Sequence, residues 1–106
     1  MFYKLEDRTP VKCATGREWV DWFENAGEEL IVGQDEIDGL FVLTVFTGID
    51  QGGTEEPQLF ETLFAVESEP TGTAIRYATW EEADRHHRKT VLQARTAAVD
   101  DAGSLH

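Results

Sequence analysis

The chain has 106 residues, 41% apolar and 10% aromatic, and a formal charge of −12 from 21 acids against 9 Lys and Arg. That length fits one domain, and the apolar share is enough for a packed core, so a folded chain is expected despite the charge. Such a charge repels nucleic acid and anionic membrane and attracts basic protein surfaces, while a single cysteine, Cys13, excludes an internal disulfide framework and any cysteine-rich zinc site.

Met1 to Asp7 lacks the basic and apolar segments of a signal peptide. The longest strongly apolar run, Leu40 to Phe46, is far too short to span a bilayer. A cytoplasmic protein with no membrane partner is the expectation. Phe2 to Leu5 reads as a short strand, ended by Glu6 to Pro10. Thr15-Gly16-Arg17-Glu18 has capping-box spacing, with Thr15 able to cap and Glu18 able to reach back. A short amphipathic helix is expected over Gly16 to Asn25, with Trp19, Val20 and Phe23 on one face, Trp22 near its edge, and Gly27 as a stop.

A β region follows. Glu29 to Gln34 is a plausible strand, Asp38-Gly39 is a turn dipeptide, and Leu40 to Phe46 is apolar at almost every position, as in a strand covered on both faces. Gly48 to Pro57 is the main loop. Leu59 to Val66 resumes as a strand, with Phe60, Phe64 and Val66 on one face and Leu63 and Ala65 on the other. Pro70-Thr71-Gly72 marks a turn, and Ala74 to Ala78 gives a last strand, with Ile75 and Tyr77 facing away from Arg76. Thr79-Trp80-Glu81-Glu82 is a second capping box, opening a helix to about Val99. Its stripe is Trp80, Ala83 or Asp84, His87, Val91, Ala94 and Ala98. The three tryptophans read as core anchors rather than a ligand cage.

The expected architecture is one α+β domain over residues 1–99, an antiparallel sheet of four or five strands with two helices on one face, followed by a frayed polar tail over 100–106. The other face of that sheet, with Phe41, Leu43 and Val45 or their alternates, needs a cover, and a homodimer is expected to supply it.

Between Glu18 and Ile75 lie 58 residues with 14 acids and no Lys or Arg. A solvated acidic surface accounts for most such blocks. The sharper reading is an electronegative face, through Asp35, Glu36, Asp38, Glu55 and Glu56, that docks on a basic partner and imitates a row of phosphates. His86-His87 is the next feature. Only His87 falls on the apolar stripe, so the adjacent pair cannot share one metal in regular helix geometry, and a hydrogen-bonded structural His87 is expected. Glu61 and Arg76, directly paired, would form a structural ion pair. The competing reading joins Glu61, Arg76, His87 and Asp50 in a small metal-assisted hydrolase. Gly48 to Gly53 is no phosphate loop, for it lacks Gly-Lys-Ser/Thr and no helix signal follows. No motif specifies a metal or cofactor.

Three segments in order resemble a family of small bacteriophage and prophage proteins. They are Thr44-Val45-Phe46-Thr47-Gly48-Ile49-Asp50, Leu59-Phe60-Glu61-Thr62-Leu63-Phe64, and Arg76-Tyr77-Ala78-Thr79-Trp80-Glu81-Glu82-Ala83 with His87. Arg17-Glu18-Trp19 and Trp22-Phe23-Glu24 extend the likeness over much of the chain. Gln51, Leu63 and His86 stand where that family commonly has His, Met and Gly. The resemblance implies a phage origin and this order of elements, and no reaction. The resulting expectation is a phage accessory protein that binds a host or phage protein and interferes with a nucleic-acid-binding protein, with a minor virion component as a further reading.

Overall fold

The fold is that of a computed structural model, which describes residues 1–53, 55–67 and 69–104, and the side chains of these apart from 72–74 and 98–104. The elements are β1 (Tyr3–Glu6), β2 (Thr9–Lys12), α1 (Gly16–Ala26), a 3-10 turn (Gly27–Leu30), β3 (Ile31–Ile37), β4 (Leu40–Phe46), β5 (Phe60–Val66), β6 (Glu69–Tyr77) and α2 (Trp80–Ser104). Strands β3-β4-β5-β6 form one antiparallel sheet in chain order, and β1-β2 form a separate hairpin. This is the expected α+β fold.

Both threonines cap their helices. Thr15 Oγ1 accepts from the Glu18 N–H at 3.1 Å, and Glu18 Oε1 reaches back to accept from the Ala14 N–H at 3.2 Å. Thr79 Oγ1 accepts from the Glu82 N–H at 3.1 Å, opening α2. Asp38 and Gly39 have φ of 50° and 85°, the double positive φ of the two-residue turn whose twist matches its strands. It sets Ile37 opposite Leu40 and carries the register along β3 and β4.

Alternation then divides the sheet. Val42, Thr44 and Phe46 of β4 pair with Phe64, Thr62 and Phe60 of β5 on the face under the helices. Phe46 and Phe60 are fully buried with ring centroids 5.1 Å apart, and full burial of a Phe contributes roughly 1.5–3 kcal/mol. Helix α2 crosses this face on Ala83, His87 and Val91, all buried. Trp22 of α1 meets the Phe46 ring edge-on at 5.7 Å. Leu5 of the β1-β2 hairpin completes the core with Phe46, Leu59, Phe60, Tyr77 and Ala83.

Four details differ from the sequence reading. The segment Glu6 to Pro10 is not only an ending, because Asp7 and Arg8, with φ of 51° and 67°, turn the chain into β2. Pro70-Thr71-Gly72 lies within β6 rather than in a turn; β6 is an edge strand, where proline is tolerated. On α1, Val20 is exposed while Trp19, Trp22, Phe23 and Ala26 turn inward, the i, i+3, i+4, i+7 stripe of a single helix face. Helix α2 continues to Ser104, through most of the expected tail. The side chain of Ala98 and residues 105 and 106 lie outside the described residues.

The β1-β2 hairpin is tied to α1 by Lys4 Nζ on Glu18 Oε2 at 3.1 Å. The Lys4 ammonium, then the Ala14 N–H, hold the Glu18 carboxyl below its ordinary range. The hydrogen bond to Glu18 raises Lys4 in turn. A depressed acid contributes stability above its unfolded pKa and loses it as pH falls through its folded pKa; a raised base loses its share as pH rises through its own. The tie therefore holds from below the usual carboxylate range to above the usual lysine range. Melting curves of the chain and of Glu18→Gln are expected to differ at neutral pH and to converge in acid as Glu18 protonates.

Candidate functional site

The covered face holds a buried polar chain. The Thr44 and Thr62 hydroxyls, both fully buried, lie 2.6 Å apart, and Thr44 Oγ1 is 2.7 Å from His87 Nδ1. On the other side of the ring, His87 Nε2 is 2.7 Å from Asp35 Oδ2. With Asp35 ionised, Nε2–H donates to the carboxylate, and in the neutral ring Nδ1 accepts from the Thr44 hydroxyl. Each ring nitrogen thus has a partner, which is the condition for burying it. Arg95 Nη2 approaches Asp35 Oδ1 at 3.8 Å.

Asp35, His87 and Thr44 stand in the order of an acid–base–nucleophile triad. The depression beside them, about 370 Å³ and lined by Asp35, His87, Arg88, Val91, Leu92 and Arg95, reaches the carboxylate side of the ring. Thr44 is sealed between sheet and helix, so its hydroxyl meets no substrate. The chain's chemistry is that of a tie between β3, β4, β5 and α2, as expected for a structural His87. His86 turns away and stacks on Tyr77 with centroids 5.2 Å apart.

Glu61 and Arg76 are register partners and lie on the opposite face. Arg76 Nε is 3.9 Å from Glu61 Oε1, and Arg76 Nη1 donates to Gln51 Oε1. Asp50 caps its own loop, with Oδ1 accepting from the Gly52 N–H at 2.9 Å. The sheet therefore stands between Glu61 with Arg76 and His87. The hydrolase reading required these side chains in one cleft, and the fold divides them between its two faces. Among the described residues no group of three His, Cys, Asp or Glu side chains is placed to hold a metal. Burial, reinforced by the nearby Glu18, pushes the Cys13 thiol up, away from the reactive thiolate.

The five acids of the proposed docking face do not share one surface. Asp35 is committed to His87 under α2. Glu36 projects from the opposite face, Asp38 sits in the β3-β4 turn, and Glu55 and Glu56 lie in the β4-β5 loop at the far end of β4.

The other face of the sheet has no helix packed on it among the described residues. Phe41, Leu43 and Val45 of β4 pair with Ala65, Leu63 and Glu61 of β5, flanked by Gln34 and Glu36 on β3 and Arg76 on β6. Leu63, at its centre, is 39% exposed although it lies on an interior strand. At the turn end, Glu36, Gly39, Phe41, Ala65 and Glu67 line a shallow depression of about 570 Å³. No helix among the described residues is long and apolar enough to cross a membrane.

Sequence reasoning expected this bare face from the almost wholly apolar run of β4. It missed Thr44, Thr62 and Gly33. A threonine inside each of two apolar strands and a glycine inside a third were the available signals, the glycine marking a close approach. Neither the family models, nor the curated proteins, nor the solved structures compared with the chain give a match.

Proposed function

We propose that the chain is a non-enzymatic, phage-encoded accessory protein that acts by binding protein in the host cytoplasm. Its bare sheet face pairs with a second copy, and the acidic surface of the pair docks on a basic partner, interfering with a nucleic-acid-binding protein. The observation that carries this reading is a sheet with helices on one face and an apolar row on the other, where Leu63 is exposed and Phe41, Leu43 and Val45 are half-buried. Exposed contiguous apolar surface of this kind marks interaction sites. The charge of −12 makes a basic surface the complementary partner, and the likeness of the three segments to small phage proteins supports the origin.

Of the acids first considered, Asp38, Glu55 and Glu56 stand clear of both the helix tie and the bare face, and all three are exposed. Reversing them to Lys leaves the core and the bare face intact. Immobilised protein challenged with basic nucleic-acid-binding proteins is expected to retain one at low salt, to release it as salt rises, and to lose it on the triple reversal. Retention that is indifferent to both salt and reversal would remove electrostatic docking from the account.

A further inference from the structure

The bare face carries charge in a pattern that fits its own copy. Strands β3 to β6 contain one Lys or Arg between them, Arg76. Taking the Leu43–Leu63 pair as the centre, Arg76 lies on β6, beyond β5 and two residues along the strands in one direction. Glu36 lies on β3, beyond β4 and two residues in the other direction. With strands ~4.8 Å apart and ~3.4 Å per residue, each corner is displaced about 7 Å across the strands and about 7 Å along them. Glu36 and Arg76 thus occupy diagonally opposite corners at equal distances from an apolar centre.

A two-fold axis in the plane of the interface, lying along the other diagonal, exchanges these corners. That axis runs at ~45° to the strands, so the two sheets cross at about 90°, one of the two preferred modes of face-to-face sheet packing. An axis along or across the strands instead sets neither charge opposite the other. We propose that two copies pack their bare faces in this crossed register, with Arg76 of each seated in the depression that Glu36, Phe41, Ala65 and Glu67 line on the other. The inference rests on the pairing of bare faces proposed above and specifies its geometry.

Sheets packed face to face stand ~10 Å apart, a gap that Arg and Glu side chains bridge together. Arg76 keeps donors for this contact, because Nη1 serves Gln51 and Nε lies at the long distance of 3.9 Å from Glu61. Leu43 and Leu63, at the centre, are covered in the same step. The isologous arrangement repeats each Glu36–Arg76 contact twice.

Charge exchange tests the register. Glu36→Arg alone sets like charges at both corners of its own dimer, and Arg76→Glu does the same with the opposite sign. A one-to-one mixture of the two variants restores an opposite-charge pair at both corners. By light scattering across a concentration series, each variant alone is expected to self-associate at least tenfold more weakly than the unaltered chain, and the mixture to recover the dimer. A dimer that neither variant weakens, or a mixture that stays dissociated, overturns the crossed register while leaving self-pairing in place. An unaltered chain that is monomeric at high micromolar concentration overturns the pairing itself. If either reversed variant fails to fold, Arg76→Lys with a carbodiimide gives the same answer. Glu36 and position 76 are ~20 Å apart within one copy by strand spacing. An amide link from the amine at position 76 to Glu36 in the covalent dimer therefore supports the register, and its absence there overturns it.

Discussion

Gly33→Ala is expected to destabilise the fold by roughly 3 kcal/mol, the upper part of the range for overpacking a filled core. A Cβ at position 33 would lie 2.5 Å from both Cδ2 and Nε2 of His87. The ring cannot step aside cheaply: it is 4% exposed and held on both sides, to Thr44 and to Asp35, at 2.7 Å. Displacing it breaks one of these bonds and leaves a buried polar group unpaired, which adds to the cost of the clash. For a domain near this size the melting temperature should fall by roughly 10–20 °C. The cause is separable by a second substitution. In a His87→Ala background the added methyl has room, so Gly33→Ala should then cost little, a coupling that independent sites do not show. A fall of less than about 3 °C in the single variant, well under the change ~1 kcal/mol produces, would mean that the His87 tie does not hold the helix to the sheet as described.

Leu63→Asp is expected to abolish self-association while leaving the monomer folded. Leu63 is 39% exposed and lies outside the buried core, so the change leaves the core of one copy in place. In the proposed pair the same position lies at the centre beside Leu43, and two-fold symmetry brings in two carboxylates. Burying an ionised carboxylate without a partner is strongly unfavourable, and the effect counts twice. A loss of at least 100-fold in self-association, with an unchanged far-ultraviolet circular dichroism spectrum, is the expected result. A dimer as tight as that of the unaltered chain would place the contact on another surface.

The legible parts of the fold were those set by local chemistry. Thr15 and Thr79 announce their helices because a capping hydroxyl and the N–H it receives lie three residues apart. Asp38-Gly39 announces its hairpin because the turn needs two positive φ values. The alternation of Phe60 to Val66 gave the two faces of β5 correctly, and the almost wholly apolar run of β4 gave a strand with something to cover on each side. What stayed hidden was set by distant or unusual contacts. Arg8 at positive φ is not a residue one reads as a hairpin turn, so β2 was missed. Pro70, Thr71 and Gly72 are turn residues, and only their place on an edge strand lets them extend β6.

The candidate sites divide in the same way. That Glu61 faces Arg76 was readable from alternation once the two strands were placed side by side. That His87 lies across the sheet from them was not, because it depends on which face α2 covers. Asp35 and His87 stand 52 residues apart in sequence, and only the β3-β4 register brings Asp35 and Gly33 to the same face as Thr44. The acidic block was plain in the sequence, but its division among a helix tie, a bare face, a turn and a distant loop is a product of strand pairing. Charge density therefore overstated how far those acids act together.

The most direct measurement is the mass in solution of the unaltered chain by light scattering at high micromolar concentration. The bare sheet face predicts a particle of two 11.9 kDa chains that dissociates on dilution. A single-chain mass across the whole range would contradict it.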